Sequence, residues 1–131
     1  MENLALRLKS ISEAGVYNMN CDLHAVRTAA ATLDFALFDV DLAAIHSKGA
    51  FLAAIAQAIA APAWMGKNWD ALADVLGDLS WNPSPGYVLL LRNGQDTFNL
   101  LERDHEIARE ILESNVNYWQ EQGKPFWVFF C

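Results

Sequence analysis

Residues 62–81 read PAWMGKNWDALADVLGDLSW, a short loop running into an amphipathic helix. Pro62 and Gly66 bracket the loop, and Asn68 is a natural N-cap for a helix over 68–79. At 100° per residue, Trp69, Leu72, Leu76 and Leu79 fall within an arc of about 80°, the expected buried stripe. Asp70, Asp74 and Asp78 fall within a second arc of about 80°, turned away from it. These carboxylates form one ridge, spaced about 6 Å apart along the axis. Like charges at that spacing cost roughly 0.2–0.5 kcal/mol per pair. No Lys or Arg stands between Lys67 and Arg92 to offset them, and only Ala71, Ala73 and Gly77 border the ridge. The helix dipole favours Asp70 in the first turn but disfavours Asp78 near the far end. A solvated face is the plain reading of such a ridge. The sharper reading is a partner that supplies the missing cations. Trp64 and Met65 in the loop either close the core or stand beside the ridge as interface anchors.

Outward from this stretch, β-rich runs alternate with helical spacing. The runs are 15–18 (GVYN), 35–40 (FALFDV), 87–92 (YVLLLR) and 126–130 (FWVFF). The last three are almost continuously apolar, as expected of strands covered on both faces. A helix is expected over 22–33, with Asp22 as N-cap, and another over 47–60, capped by Ser47 and stopped by Pro62. A long helix over 102–122 turns Ile107, Ile111, Leu112, Val116 and Trp119 inward, with Gly123 at its C-cap and Pro125 after it. Residues 1–13 read as a short helix. The alternation predicts an α/β fold, a small mainly parallel sheet of three to four strands covered by helices.

The chain has 131 residues, enough for one domain, and 53% are hydrophobic, which excludes disorder. Nine Lys and Arg face 16 Asp and Glu, a formal net charge of −7. That sign argues against direct nucleic-acid binding and for a basic partner. No signal-peptide pattern opens the chain and no apolar run is long enough to span a bilayer, so a cytoplasmic location is expected. No nucleophile motif, phosphate loop or metal-ligand cluster is present, so neither an enzyme, a cofactor nor a metal is expected. His24, His46 and His105 stand in separate segments and read as surface histidines. Asp39 and Asp41 alternate onto one side of an extended segment and are a weak cation-site candidate. Cys21 and Cys131, far apart in sequence, read as two reduced thiols, with a cross-link between them as the alternative.

The loop-helix resembles the barstar family of small acidic ribonuclease inhibitors. The likeness lies in Pro62, an aromatic at Trp64, then Gly66, Asn68, a large apolar Trp69, Asp70-Ala71-Leu72, and Asp74 four residues on. It extends over about 35–131. The resemblance implies a barstar-like core over 34–131 within a single domain, with 1–33 as an N-terminal extension that adds an edge strand and a crossover helix. It also implies that the loop and acidic helix enter the basic cleft of a ribonuclease, where carboxylates stand in for RNA phosphates. Trp64, Asn68, Asp70 and Asp74 match the family's contact positions, with Asp74 meeting the enzyme's arginine and catalytic histidine. Met65, Gly66, Ala73 and Asp78 complete the expected partner-binding set. The expected partner is a basic extracellular-type ribonuclease or toxin, with neither nucleic acid nor membrane bound directly and a monomer when free. A binding or immunity module of the same fold, serving another basic partner, is the alternative. Met65 replaces the family's second aromatic, Ala73 replaces a large aromatic, and Tyr118 stands where an acid is usual on the last helix.

Overall fold

The structure, a computed structural model, describes residues 4–93 and 102–131. Its elements in chain order are α1 (Leu4–Leu8), β1 (Val16–Asn18), α2 (Leu23–Thr32), β2 (Ala36–Asp41) and α3 (Lys48–Ala58). Then come α4 (Trp69–Asp78), β3 (Tyr87–Arg92), α5 (Glu102–Glu121) and β4 (Phe126–Phe130). The first three residues of the expected N-terminal helix lie outside the described residues. The strands form one four-stranded sheet in the order β1-β4-β3-β2, every pair parallel.

Local chemistry sets the helix ends. Side-chain oxygens of Asp22, Ser47 and Asn68 accept from the amides of Ala25, Ala50 and Ala71 at 3.1, 3.2 and 2.7 Å. Each satisfies a backbone donor that a helix start leaves orphaned. Gly123, at φ 78°, takes the left-handed conformation that ends α5.

Side chains alternate across the sheet, so one face carries Phe38, Tyr87, Leu89, Leu91, Phe126, Val128 and Phe130. On this face the Tyr87 ring centroid lies 5.2 Å from Trp119 of α5, 5.7 Å from Phe126 and 6.1 Å from Phe38. The Trp119 indole N–H donates to the Leu76 carbonyl at 2.9 Å and so fastens α5 to α4. The opposite face carries Val88, Leu90, Trp127 and Phe129. There the Trp127 indole N–H donates to the Leu8 carbonyl at the end of α1, at 2.9 Å. Arg27 of α2 reaches Asp39 of β2 at 2.6 Å. Before residue 35 the chain therefore adds β1 to the sheet edge and covers one face with α1 and α2. This is why β3 and β4 are buried along both faces.

β2 departs from the expected two-sided burial. It is an edge strand, and Asp39 and Asp41 are exposed while Phe38 and Val40 are buried. The two aspartates share a face, as the alternation predicts, and protein donors hold them. Asp39 takes Arg92 at 2.6 Å and Arg27 at 2.6 Å. Asp41 takes the Asn93 side-chain amide at 2.8 Å. Burial pushes the Asp39 carboxyl up, but hydrogen bonds from Arg92 and Arg27 outweigh it and hold the group below its ordinary value. Hydrogen bonds from Asn93 and the Ala43 amide likewise lower Asp41. This pair is a structural clasp between α2, β2 and β3. Among the described residues no group of three or more His, Cys, Asp or Glu is placed to hold a metal.

The expectation of two reduced thiols is also overturned. Cys21 and Cys131 form a disulfide, with Cα atoms 5.4 Å apart. The cause is strand register. β1 runs parallel to β4 with Asn18 opposite Phe130, and the Met19 amide donates to the Phe130 carbonyl at 3.0 Å. That pairing brings the residues just beyond both strands together.

Candidate functional site

The loop at 62–68 and helix α4 carry most of the residues singled out above. Leu72, Val75, Leu76 and Leu79 are buried on the inner face of α4. Val75 was not in the expected stripe, and Trp69, which was, is only half-buried. The stripe is rotated because Trp69 lies over α3, its ring 6.1 Å from Phe51 and 5.6 Å from the Lys48 Nζ. The Trp81 indole N–H donates to the Ile59 carbonyl at 2.8 Å and fixes the far end of the helix to the end of α3.

In the loop the two large side chains divide. Trp64 is 63% exposed, while Met65 packs against the core. Met65 also borders a groove against α3, beside Leu52, Ala53 and Ala56. The Met65 amide donates to the Pro62 carbonyl at 3.0 Å, which closes the turn. A Cβ at Gly66 would stand 3.4 Å from the Asn68 Nδ2, so the chain passes close by the cap of α4. Asn68 thus acts on the helix, and its side-chain oxygen is already engaged by the Ala71 amide.

Asp70, Asp74 and Asp78 are exposed in a row along α4. None of them forms an ion pair with a described residue. Asp78 accepts a hydrogen bond from the Ser80 hydroxyl at 3.3 Å, and Asp70 and Asp74 accept none from described residues. Lys67, the nearest cation in sequence, is exposed and unpaired among the described residues. Among the described residues the ridge is therefore uncompensated in space as well as in sequence.

Ala73 and Gly77 face α5 across a groove of about 410 Å³, whose α5 wall is Glu110, Ile111, Ser114, Asn115 and Tyr118. Tyr118 is 43% exposed and meets Trp119 edge-on at 5.3 Å. Ile111, expected to turn inward, borders the groove and is only partly buried. Sequence reasoning named Ala73 and Tyr118 but missed Glu110 and Asn115. Their significance depends on how α4 and α5 lie together, which no local pattern encodes.

His24 and His46 are exposed, and His105 is half-buried on α5. No helix of the described residues is long and apolar enough to cross a membrane.

No curated protein matches the chain at a significant level. The family model described as Barstar (barnase inhibitor) matches residues 35–131 and leaves the preceding segment as an extension. The family's members are non-catalytic inhibitors, and the partner it implies is a basic ribonuclease. With a parallel sheet covered by helices and a family match over most of its length, this chain belongs to the barstar family.

Proposed function

We propose that this chain inhibits a ribonuclease by occupying its basic active-site cleft with the loop at 62–68 and helix α4. The observation that carries this reading is the row of Asp70, Asp74 and Asp78, exposed and without a pairing cation among the described residues. A cleft built to hold RNA phosphates offers what the row lacks. Asp74, at its centre, takes the enzyme's arginine and catalytic histidine, and Asp70 and Asp78 extend the contact along the helix. Trp64 is an aromatic anchor at the rim, Gly66 allows the close turn, and Asn68 holds the helix start in place. Met65 supports the loop from within. Ala73 is a small contact that leaves room beside the carboxylates.

A second reading keeps the same face and changes the target. Ala73 and Tyr118 differ from the family pattern, which favours a basic partner other than a ribonuclease. Compartment bears on both readings. The family resemblance implies a cytoplasmic chain, whereas a Cys21–Cys131 bond persists in an oxidising environment. Thiol trapping of the protein from cells decides between them.

The test is inhibition of a small basic secreted ribonuclease, barnase among them, read by cleavage of a fluorogenic RNA. Stoichiometric loss of activity, relieved by Asp74→Ala, supports the proposal. Full enzyme activity in excess inhibitor across basic ribonucleases, with tight binding to a basic protein that is not a nuclease, replaces it with the second reading. Sedimentation of the free chain checks that it is a monomer.

A further inference from the structure

The carboxyl ends of the parallel strands border a crevice that no residue of α4 lines. In the order β1-β4-β3-β2, β4 lies between β1 and β3. The chain leaves β1 for α2 on one face of the sheet, while α5, the helix that follows β3, packs on the other. Helices that part in this way leave an opening beyond the strand ends, which is where open α/β sheets take their ligands. Here the opening is a crevice of about 210 Å³ lined by Asn20, Cys21, Leu23, Arg92, Asn93 and Cys131. The Cys21–Cys131 disulfide is part of its wall, and both cysteines are only half-buried, so a nucleophile from solvent reaches sulfur. In a chain of net charge −7, no acid among the described residues lines this crevice. A cation does. Arg92 is fixed there through its Nε, which donates to Asp39 at 2.6 Å. Asp39 and Asp41, which hold Arg92, are matched in number by Arg92 and Arg27.

We propose that this crevice is a thiol-exchange site for a small carboxylate-bearing thiol of the glutathione class. The ligand's carboxylate meets the Arg92 guanidinium, and Asn20 and Asn93 offer side-chain amides to its peptide groups. Its thiolate attacks one sulfur of the Cys21–Cys131 pair. A bond forms between the ligand's sulfur and that cysteine, the Cys21–Cys131 bond breaks, and its electron pair leaves on the other cysteine as a thiolate. A guanidinium beside that thiolate favours it and so makes it the better leaving group. A second equivalent of the thiol attacks the mixed disulfide, frees the protein thiol and departs as the ligand's own symmetrical disulfide. The chain gains two electrons and two thiols are oxidised. Opening the bond leaves β1 held to β4 at this end by a ladder of three residues and the Met19 amide. The site reads the thiol poise of its surroundings whether or not α4 meets a ribonuclease.

Glutathione is the probe, mixed with the oxidised full chain, quenched with acid and followed by mass spectrometry. A mixed disulfide on Cys21 or Cys131 is expected, formed at a rate that saturates with glutathione because binding precedes attack. Glutathione diethyl ester keeps the thiol and caps both carboxylates. At equal thiolate concentration it should react at least about threefold more slowly, the worth of one charge pair near a protein surface. S-methylglutathione binds but cannot exchange. It should inhibit the reaction and shift the side-chain amide signals of Asn20 and Asn93 saturably in NMR. Arg92→Gln should erase the difference between glutathione and its ester, and Arg92→Lys should restore part of it. Asn20→Leu fills the crevice from an exposed position, leaves the Asp39 clasp intact, and should abolish saturation if the Arg92 variants melt early. A rate that rises linearly with glutathione, an ester that matches it, or exchange that needs denaturant overturns the proposal and leaves a purely structural bond.

Discussion

Replacing Asp74 by alanine should move stability and binding in opposite directions. In the free chain Asp74 has no ion pair or hydrogen bond with a described residue, so nothing is lost on its removal. It has like charges one turn away on either side, at Asp70 and Asp78. Two charges about 6 Å apart in water repel by about 0.7 kcal/mol, and physiological salt reduces this to about 0.3 kcal/mol. Relief of two such pairs, together with alanine's better helix propensity, stabilises the fold by about 1 kcal/mol. For a chain of this size that raises Tm by roughly 3–5 °C. In the complex the same carboxylate is desolvated against the partner's cations, and truncating such a pair costs about 2–5 kcal/mol. Affinity should therefore fall by roughly 30-fold to several thousandfold. Thermal melting of the free protein and competitive inhibition of the ribonuclease measure the two effects. A drop in Tm with unchanged inhibition would show that the ridge serves the fold and refute the reasoning.

Deleting residues 1–33 uncovers the face bearing Val88, Leu90, Trp127 and Phe129, so the remainder should aggregate or bind a hydrophobic dye, checked by dye fluorescence and light scattering. Reducing the Cys21–Cys131 bond, or replacing both residues by serine, should destabilise the chain by about 2–4 kcal/mol in denaturant melts, since it closes a loop of sequence separation 110. Asp39 titrates below its ordinary value of 3.8 in the folded state, so its stabilisation is present above that value and disappears as pH falls through the lower folded one. Asp39→Asn should accordingly lower Tm at pH 7 and flatten the acid limb of Tm against pH, while leaving ribonuclease inhibition unchanged. Association with the target should slow steeply as salt is added, and a flat profile in stopped-flow would exclude electrostatic steering.

What the sequence made legible was local. The N-caps at Asp22, Ser47 and Asn68 follow from short polar side chains at the start of apolar periodicity, and the stop at Gly123 follows from glycine's access to positive φ. The fixed register of Gly66, Asn68, Asp70 and Asp74 pointed to the family that the match then showed. Features set by distant pairing were not legible. Strand order decides that β2 lies at an edge and exposes Asp39 and Asp41, and nothing in FALFDV states its neighbours. The disulfide needs the parallel register of β1 on β4 before its cysteines meet. Trp64 and Met65 are adjacent apolar residues in a loop, where no periodicity assigns one inward and the other outward. The orphaned Asn115 amide depends on the space left between two helices, which only their mutual placement reveals.

The bond between Cys21 and Cys131 makes nearly the whole molecule a covalent ring. A protease that cuts once inside the ring opens a gap in the backbone but releases no fragment. The nicked protein migrates as a full-length species until a reductant is added. Mechanical tension applied between residue 21 and the C-terminus is borne by sulfur and never reaches the sheet, so pulling on those points cannot unzip the fold.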